Sequence, residues 1–135
     1  MPMQFSNPVL TYSRFELNPD FIDDGQGLQA KIHINHAARR SKQENTADVA
    51  IRLQINQKGE ERIDDTPFWL EIEYTALFSW TDDMAEEEVE RYLRINASAM
   101  LIGYIRPLAA TLTSASPFPT YTLPFINVSD LFKQK

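Results

Sequence analysis

"FWLEIEYTALFSW" (68–80), running directly into "TDDMAEEEVERYLRINASAMLIGYIRPLAATLTS" (81–114), is the passage on which the fold turns. In its first half apolar residues recur at every second position. Phe68, Leu70, Ile72, Tyr74, Ala76, Phe78 and Trp80 share one face, the pattern of a strand with a dry side. The other face carries Trp69, Glu71, Glu73, Thr75 and Leu77, so even the wet side holds two large apolar residues. A central strand whose second face meets a subunit or a loop fits that composition. After Trp80 the spacing changes to three and four. Val89, Leu93, Ala97, Met100, Leu101, Tyr104, Leu108 and Leu112 form one helical stripe, and Tyr92, Ile95, Ala99, Ile102 and Ile105 a second. A single sheet face covers one stripe, so the second is predicted to meet another subunit.

The helix start is predicted from Asp82 and Asp83, with Glu86 three residues after Asp83 as in a capping box. Glu86, Glu87 and Glu88 suit the positive end of the helix dipole, which is a better account of this acidic run than metal binding. Pro107 lacks an N–H and crowds the carbonyl of Gly103, so a kink is expected there, and the helix is predicted to end near Ser114.

Upstream, three further stretches alternate: 9–17, 28–36 and 48–57. Turn-rich segments at 18–27, 39–45 and 58–66 separate them, and such short links favour antiparallel neighbours. Downstream, "ASPFPTYTLPFINVSDLF" (115–132) is stiffened by Pro117, Pro119 and Pro124, and Asn127 is placed to cap a short terminal helix that buries Leu131 and Phe132. The aromatics of this loop have two readings. Taken residue by residue, they are side chains that close the edge of the core, and a second reading comes with the resemblance described below.

Composition narrows the function. Net charge is −6 with a pI near 4.8, which argues against nucleic acid and anionic membranes. Arg39, Arg40 and Lys42 form the one basic cluster, read as a solvated loop. Without cysteine there are no disulfides or thiolate metal sites. His33 and His36, three apart on a strand, point to opposite faces and cannot chelate one ion, and no phosphate loop or nucleophile elbow is present. No cofactor, metal or catalytic residue is expected. No signal peptide is read at the N-terminus and no apolar run is long enough to span a bilayer, so a cytoplasmic protein is expected. A hotdog-type enzyme would place its long helix before most of its strands, whereas here it follows them.

The last forty residues resemble the SecB family of tetrameric export chaperones. In "ASAMLIGYIRPLAATLTSASPFPTYTLPFINVSDLF" (97–132), Leu101, Tyr104, Arg106, Phe118-Pro119, Leu123, Asn127 and Leu131-Phe132 fall on matching types. Phe68, Glu71 and Phe78 match in "FWLEIEYTALF" (68–78), and Phe15 and Glu16 match in "RFEL" (14–17). The family's helix proline falls at Gly103, its first docking aspartate is Tyr12 here, and its acidic tail is not expected after Lys135. The resemblance implies an α+β fold over 1–135 as a single domain. Its expected parts are a four-stranded antiparallel sheet, a long kinked helix and a short C-terminal helix. It further implies a homotetramer, a dimer of dimers, with Tyr92, Ile95, Ile102 and Ile105 at the oligomer interface. The implied activity is ATP-independent holding of unfolded or precursor polypeptides in a groove built from Phe68, Phe78, Trp80, Phe118, Tyr121 and Phe125. Docking to the ATPase SecA would use Glu16, Trp69 and Glu71. A dedicated partner-binding role, such as chaperoning the antitoxin of a toxin–antitoxin pair without SecA docking, is the alternative.

Overall fold

The computed structural model describes residues 3–25, 30–41 and 43–132. Leu28 and Gln29 of one expected strand, and Lys42 of the basic cluster, lie outside them. Two expected strands appear with the predicted bounds, β2 (Val9–Leu17) and β7 (Phe68–Trp80). The other two shift, to β3 (Ile32–Ser41) and β4 (Thr46–Ile55). Their turn is shorter than expected because Asn45 takes the left-handed conformation at φ 51°, which Asn tolerates better than most residues. β1 (Met3–Phe5) precedes them, and a small hairpin of β5 (Gln57–Lys58) and β6 (Glu61–Arg62) turns about Gly59 at φ 61°.

The sheet is antiparallel throughout and has four columns. β7 lies between β4 and an edge column made by β1 and β2 end to end, and β3 forms the opposite edge. β2 and β3 are therefore not the neighbours that a short link suggested. The chain after β2 crosses from one edge of the sheet to the other, as in a Greek key, because β7 is the apolar strand that gives β2 a partner to pack on. Val49, Ile51, Leu53 and Ile55 of β4 and Leu70, Ile72 and Phe78 of β7 lie on one face and are completely buried beneath the helix.

The expected capping box does not form. α1 (Glu86–Arg91) starts after Ala85, which makes no side-chain cap, while Thr81 donates to Asp83. The acidic first turn has another partner: Arg40 of β3 bonds Glu86 and Glu90 at 2.6 Å each and stacks over Trp80, 5.2 Å from the ring centre. A π turn (Tyr92–Asn96) then joins α1 to α2 (Ala97–Ser114), which runs unbroken through Pro107.

That π turn keeps α1 and α2 buried along one face. In an uninterrupted α-helix, residues seven and eleven before Leu101, which are Arg94 and Glu90, would share its buried side. The π turn adds one residue, so Leu93 and Val89 take those places, and Arg94 and Glu90 are exposed. The buried series becomes Val89, Leu93, Ala97, Leu101, Ile105, Ala109 and Thr113. Ile105 and Ile102, expected at an oligomer interface, are core residues of the subunit at 1% and 4% exposure, whereas Tyr92 and Ile95 remain half-buried. The carbonyl of Leu93 in the π turn lies 3.0 Å from His36 Nε2. A 3-10 turn (Val128–Phe132) ends the described chain. Asn127 caps it through Ser129 N at 3.2 Å, and Phe132 meets the His36 ring edge-on at 4.9 Å.

Candidate functional site

At the end of the sheet where β7 begins, a cleft of about 600 Å³ opens between two irregular segments. Phe68 lies on the helix-covered face opposite Leu17, with Phe15 5.5 Å away ring to ring, and forms one wall. Asp23 and Ala30 line it from the crossing segment, and Phe118 and Tyr121 from the loop after α2. Phe21 and Phe118 bridge the two segments edge-to-face at 5.8 Å. The volume is in the range of natural ligand pockets.

Local bonds hold the loop in this shape. Thr113, buried at the end of α2, donates to the carbonyl of Ala109 at 2.9 Å, and its oxygen accepts from Tyr121 N at 2.9 Å. Ser116 donates to the carbonyl of Thr113 at 2.7 Å and accepts from Phe118 N at 3.1 Å. Arg106 donates to the carbonyls of Leu123 and Pro124. Pro117, Pro119 and Pro124 need no N–H partner, which lets the backbone stay extended. Burial pushes the Tyr121 phenol above its ordinary value, so that side chain stays neutral in the cleft wall.

Asn56 holds the backbone of Phe68. It is fully buried with φ 63°, accepts from Lys31 N at 3.0 Å and donates to the Phe68 carbonyl at 2.9 Å. Alternation alone assigned Asn56 to the wet face. The signal that could have found it is an Asn directly before the "QKG" turn, a residue suited to left-handed backbone.

The six expected groove residues do not form one surface. Phe68, Phe118 and Tyr121 share the cleft. Phe78 is 1% exposed and packs on Phe5, and Trp80 lies under Arg40; both belong to the core. They sit ten and twelve residues along β7 from Phe68, roughly 33–40 Å away at about 3.3 Å per residue. Phe125 is 88% exposed and lines no part of the cleft.

The opposite sheet face carries a polar cluster. Glu16 pairs with Trp69 across β2 and β7, which brings two of the three expected docking residues together and places Glu71 next along the same face. Two of the three are nevertheless covered. Trp69, 9% exposed, donates from Nε1 to the Ile63 carbonyl at 3.0 Å, and the Arg62 guanidinium sits 4.3 Å above its ring. Glu71 is 6% exposed and accepts from Arg52 and Gln54 at 3.0 Å each. Glu16 bonds Arg62 at 2.7 Å and Arg14 at 3.0 Å. The bond from Arg62, then that from Arg14, hold the Glu16 carboxyl below its ordinary 4.5. Tyr12, where the family carries an aspartate, lies under Arg52 at 4.9 Å. Alternation placed these residues on one face; nothing in the sequence announced that the β5–β6 hairpin folds back over them. Among the described residues no three metal-ligating side chains cluster, and no helix is long and apolar enough to cross a membrane.

The family model described as preprotein translocase subunit SecB matches residues 17–135. The protein-export protein SecB of Anaplasma phagocytophilum is 33% identical over 116 residues, covering 80% of this chain and 72% of that one. That of Dinoroseobacter shibae is 29% identical over 105 residues, and the match spans 78% of this chain but only 60% of that relative's length. Among solved structures, a SecB-like chaperone of Mycobacterium tuberculosis, in complex with a ChAD peptide from the HigA1 antitoxin, superposes with a TM-score of 0.71. It shares 23% identity, and the match covers 93% of this chain and 91% of that one.

Proposed function

Because this chain belongs to the SecB family, we propose that it is an ATP-independent holdase that binds unfolded or precursor polypeptides in the Phe68–Phe118–Tyr121 cleft. The observation that carries this reading is the cleft itself. It is walled by aromatic rings, braced by proline and by side-chain bonds, and carries a single acidic side chain, Asp23, among its described lining residues. Rigid rings offer contact area at little entropic cost and read no particular sequence. Binding of this kind works by mass action: whatever holds the unfolded chain keeps it from aggregating, and no chemical step is required. The protein acts in the cytoplasm, without cofactor or metal.

Assembly into a homotetramer is part of the proposal. Phe5, Leu10 and Tyr104 are 49%, 42% and 44% exposed on the helix side of the sheet, and Tyr74 links the last two, opposite Leu10 and 5.7 Å from the Tyr104 ring. With Tyr92 and Ile95 they offer the apolar surface that copies would share, in place of Ile102 and Ile105.

The test is suppression of aggregation of a reduced or denatured client at stoichiometric ratio. Wild type is expected to suppress it and Phe118→Ser to lose most of that effect at unchanged melting temperature; no suppression of several clients by wild type overturns the reading. The second reading, service to one partner such as an antitoxin, is favoured by the covered sheet face, which leaves only Glu16 of the SecA patch accessible. Pull-down from the host separates them, one stoichiometric partner against many precursors.

A further inference from the structure

We infer that Phe125 of one copy of this chain seats in the cleft of a second copy, and the second copy's Phe125 in the first, so that a reciprocal contact caps both clefts when no other chain fills them. The contact follows from the shape and chemistry of the two segments around the cleft and needs no client; only its competition with clients rests on the reading of the cleft as their site.

The two most exposed large apolar side chains among the described residues are Phe125 at 88% and Ile22 at 82%. They sit on the two segments that wall the cleft. Phe125 lies four residues past Tyr121 in the loop after α2, and Ile22 lies beside Asp23 in the crossing segment. Single exposed apolar residues are ordinary, but one on each side of an apolar cleft marks a surface that something covers.

Phe125 is held outward by its neighbours. Arg106 donates to the carbonyls of Leu123 and Pro124, Leu123 is 3% exposed, and Ile126 is half-buried, so the chain is anchored on both sides of the ring. Pro124 fixes φ immediately before it. A ring presented in this way loses little freedom on entering a pocket. It lines no part of its own subunit's cleft, and its tied neighbours keep it out. The same cleft on a second copy suits it: about 600 Å³, bounded by Phe68, Phe118, Tyr121 and prolines, with room for a phenyl ring.

Charge and spacing favour a second copy over other apolar chains. Arg106 stands behind Phe125 and Asp23 on the cleft wall, and none of the ion pairs among the described residues uses either. Entry of Phe125 brings this cation and this carboxylate together, once in each direction. Ring and cleft also share one loop, at most about 14 Å of chain separating Tyr121 from Phe125, so a two-fold axis between them satisfies both contacts at once.

The experiment is sedimentation equilibrium at up to about 1 mM chain and about 0.15 M salt, on full-length chains that all carry Leu10→Glu to weaken the contact on the helix side. Leu10→Glu alone should dimerise. Adding Phe125→Ser removes both rings and adding Phe118→Ser damages both clefts, so each should weaken the dimer at least about tenfold. An equimolar mixture of those two variants should recover a heterodimer, since one intact Phe125 then meets one intact cleft. A Leu10→Glu chain that stays monomeric, equal dimerisation with and without Phe125, or a mixture no stronger than its parts each overturns the inference. Aggregation suppression on the same proteins keeps the client reading separate. Phe125→Ser should suppress at least as well as its parent, whereas lost suppression with unchanged association assigns the ring to the client and overturns the self-contact. If Leu10→Glu does not fold, wild type suffices: in a mixture of isotope-labelled and unlabelled chains, filtered NOEs should connect Phe125 of one copy to Phe68 or Tyr121 of another. Their absence overturns the inference.

Discussion

Asn56 concentrates more structure than its neighbours suggest. Its backbone N–H bonds the Lys31 carbonyl at 2.8 Å, its carbonyl accepts from Ile63 at 3.0 Å, and its side chain bonds Lys31 and Phe68. Asn56→Ala should cost about 2–4 kcal/mol, from two lost buried bonds plus a left-handed backbone that Ala resists. Asn56→Gly should cost less, since it keeps the backbone; thermal unfolding of both variants checks the order. Glu16 makes the pH prediction. Its folded pKa lies below 4.5, so the stabilisation from Arg62 and Arg14 is complete above pH 4.5 and is lost as pH falls through the folded value. The Trp69 environment, followed by fluorescence, should change in that acid range in wild type and not in Glu16→Gln. Tyr121 shifts the other way: its phenol should ionise above pH 10, and client bound in the cleft should raise it further, measured by ultraviolet absorbance.

At the scale of elements, the π turn decides which residues before it share the buried face of α2. Deleting exposed Arg94 removes the extra residue and restores seven-residue spacing between Leu93 and Leu101, so the variant should fold with its melting temperature within several degrees of wild type. Deleting exposed Gly103 instead rotates everything beyond it by about 100°, turning Ile105, Ala109 and Thr113 off the core, and should abolish folding. Circular dichroism melts distinguish the two deletions. Both helical stripes were visible in the sequence, but their division into an inner and an outer face was not. Leu101, Ile102 and Ile105 lie within about 100° of one another around α2, so period counting could not say which side of that wide apolar surface meets the sheet. The loop is the opposite case. Three prolines and the Asn127 cap announced an extended segment and a terminal turn, and both are present, whereas the Thr113 and Arg106 bonds that aim Phe118 and Tyr121 cross eight or more residues and could not be read locally.

For the whole molecule, the exposed rings of Phe5 and Tyr104 and the side chain of Leu10 call for cover. Sedimentation at micromolar concentration should find an oligomer, and Leu10→Glu should shift it toward smaller species while leaving the monomer fold intact; a monomeric wild type would contradict the assembly. Phe68, Phe118 and Tyr121 share the cleft while Phe78 and Trp80 lie in the core further along β7, because position along a long strand separates residues that alternation treats alike. The sequence by itself determined the four main strands, the switch to helix, the apolar faces of β4 and β7 and the family, since these follow from side-chain period and residue type within a few positions. Only the tertiary structure decided that β2 pairs with β7, that Ile102 and Ile105 turn inward, that Trp69 and Glu71 are covered, and that one end of the sheet opens as a cleft. Each of those depends on which distant surfaces bury one another, and that competition is settled by packing of the whole chain.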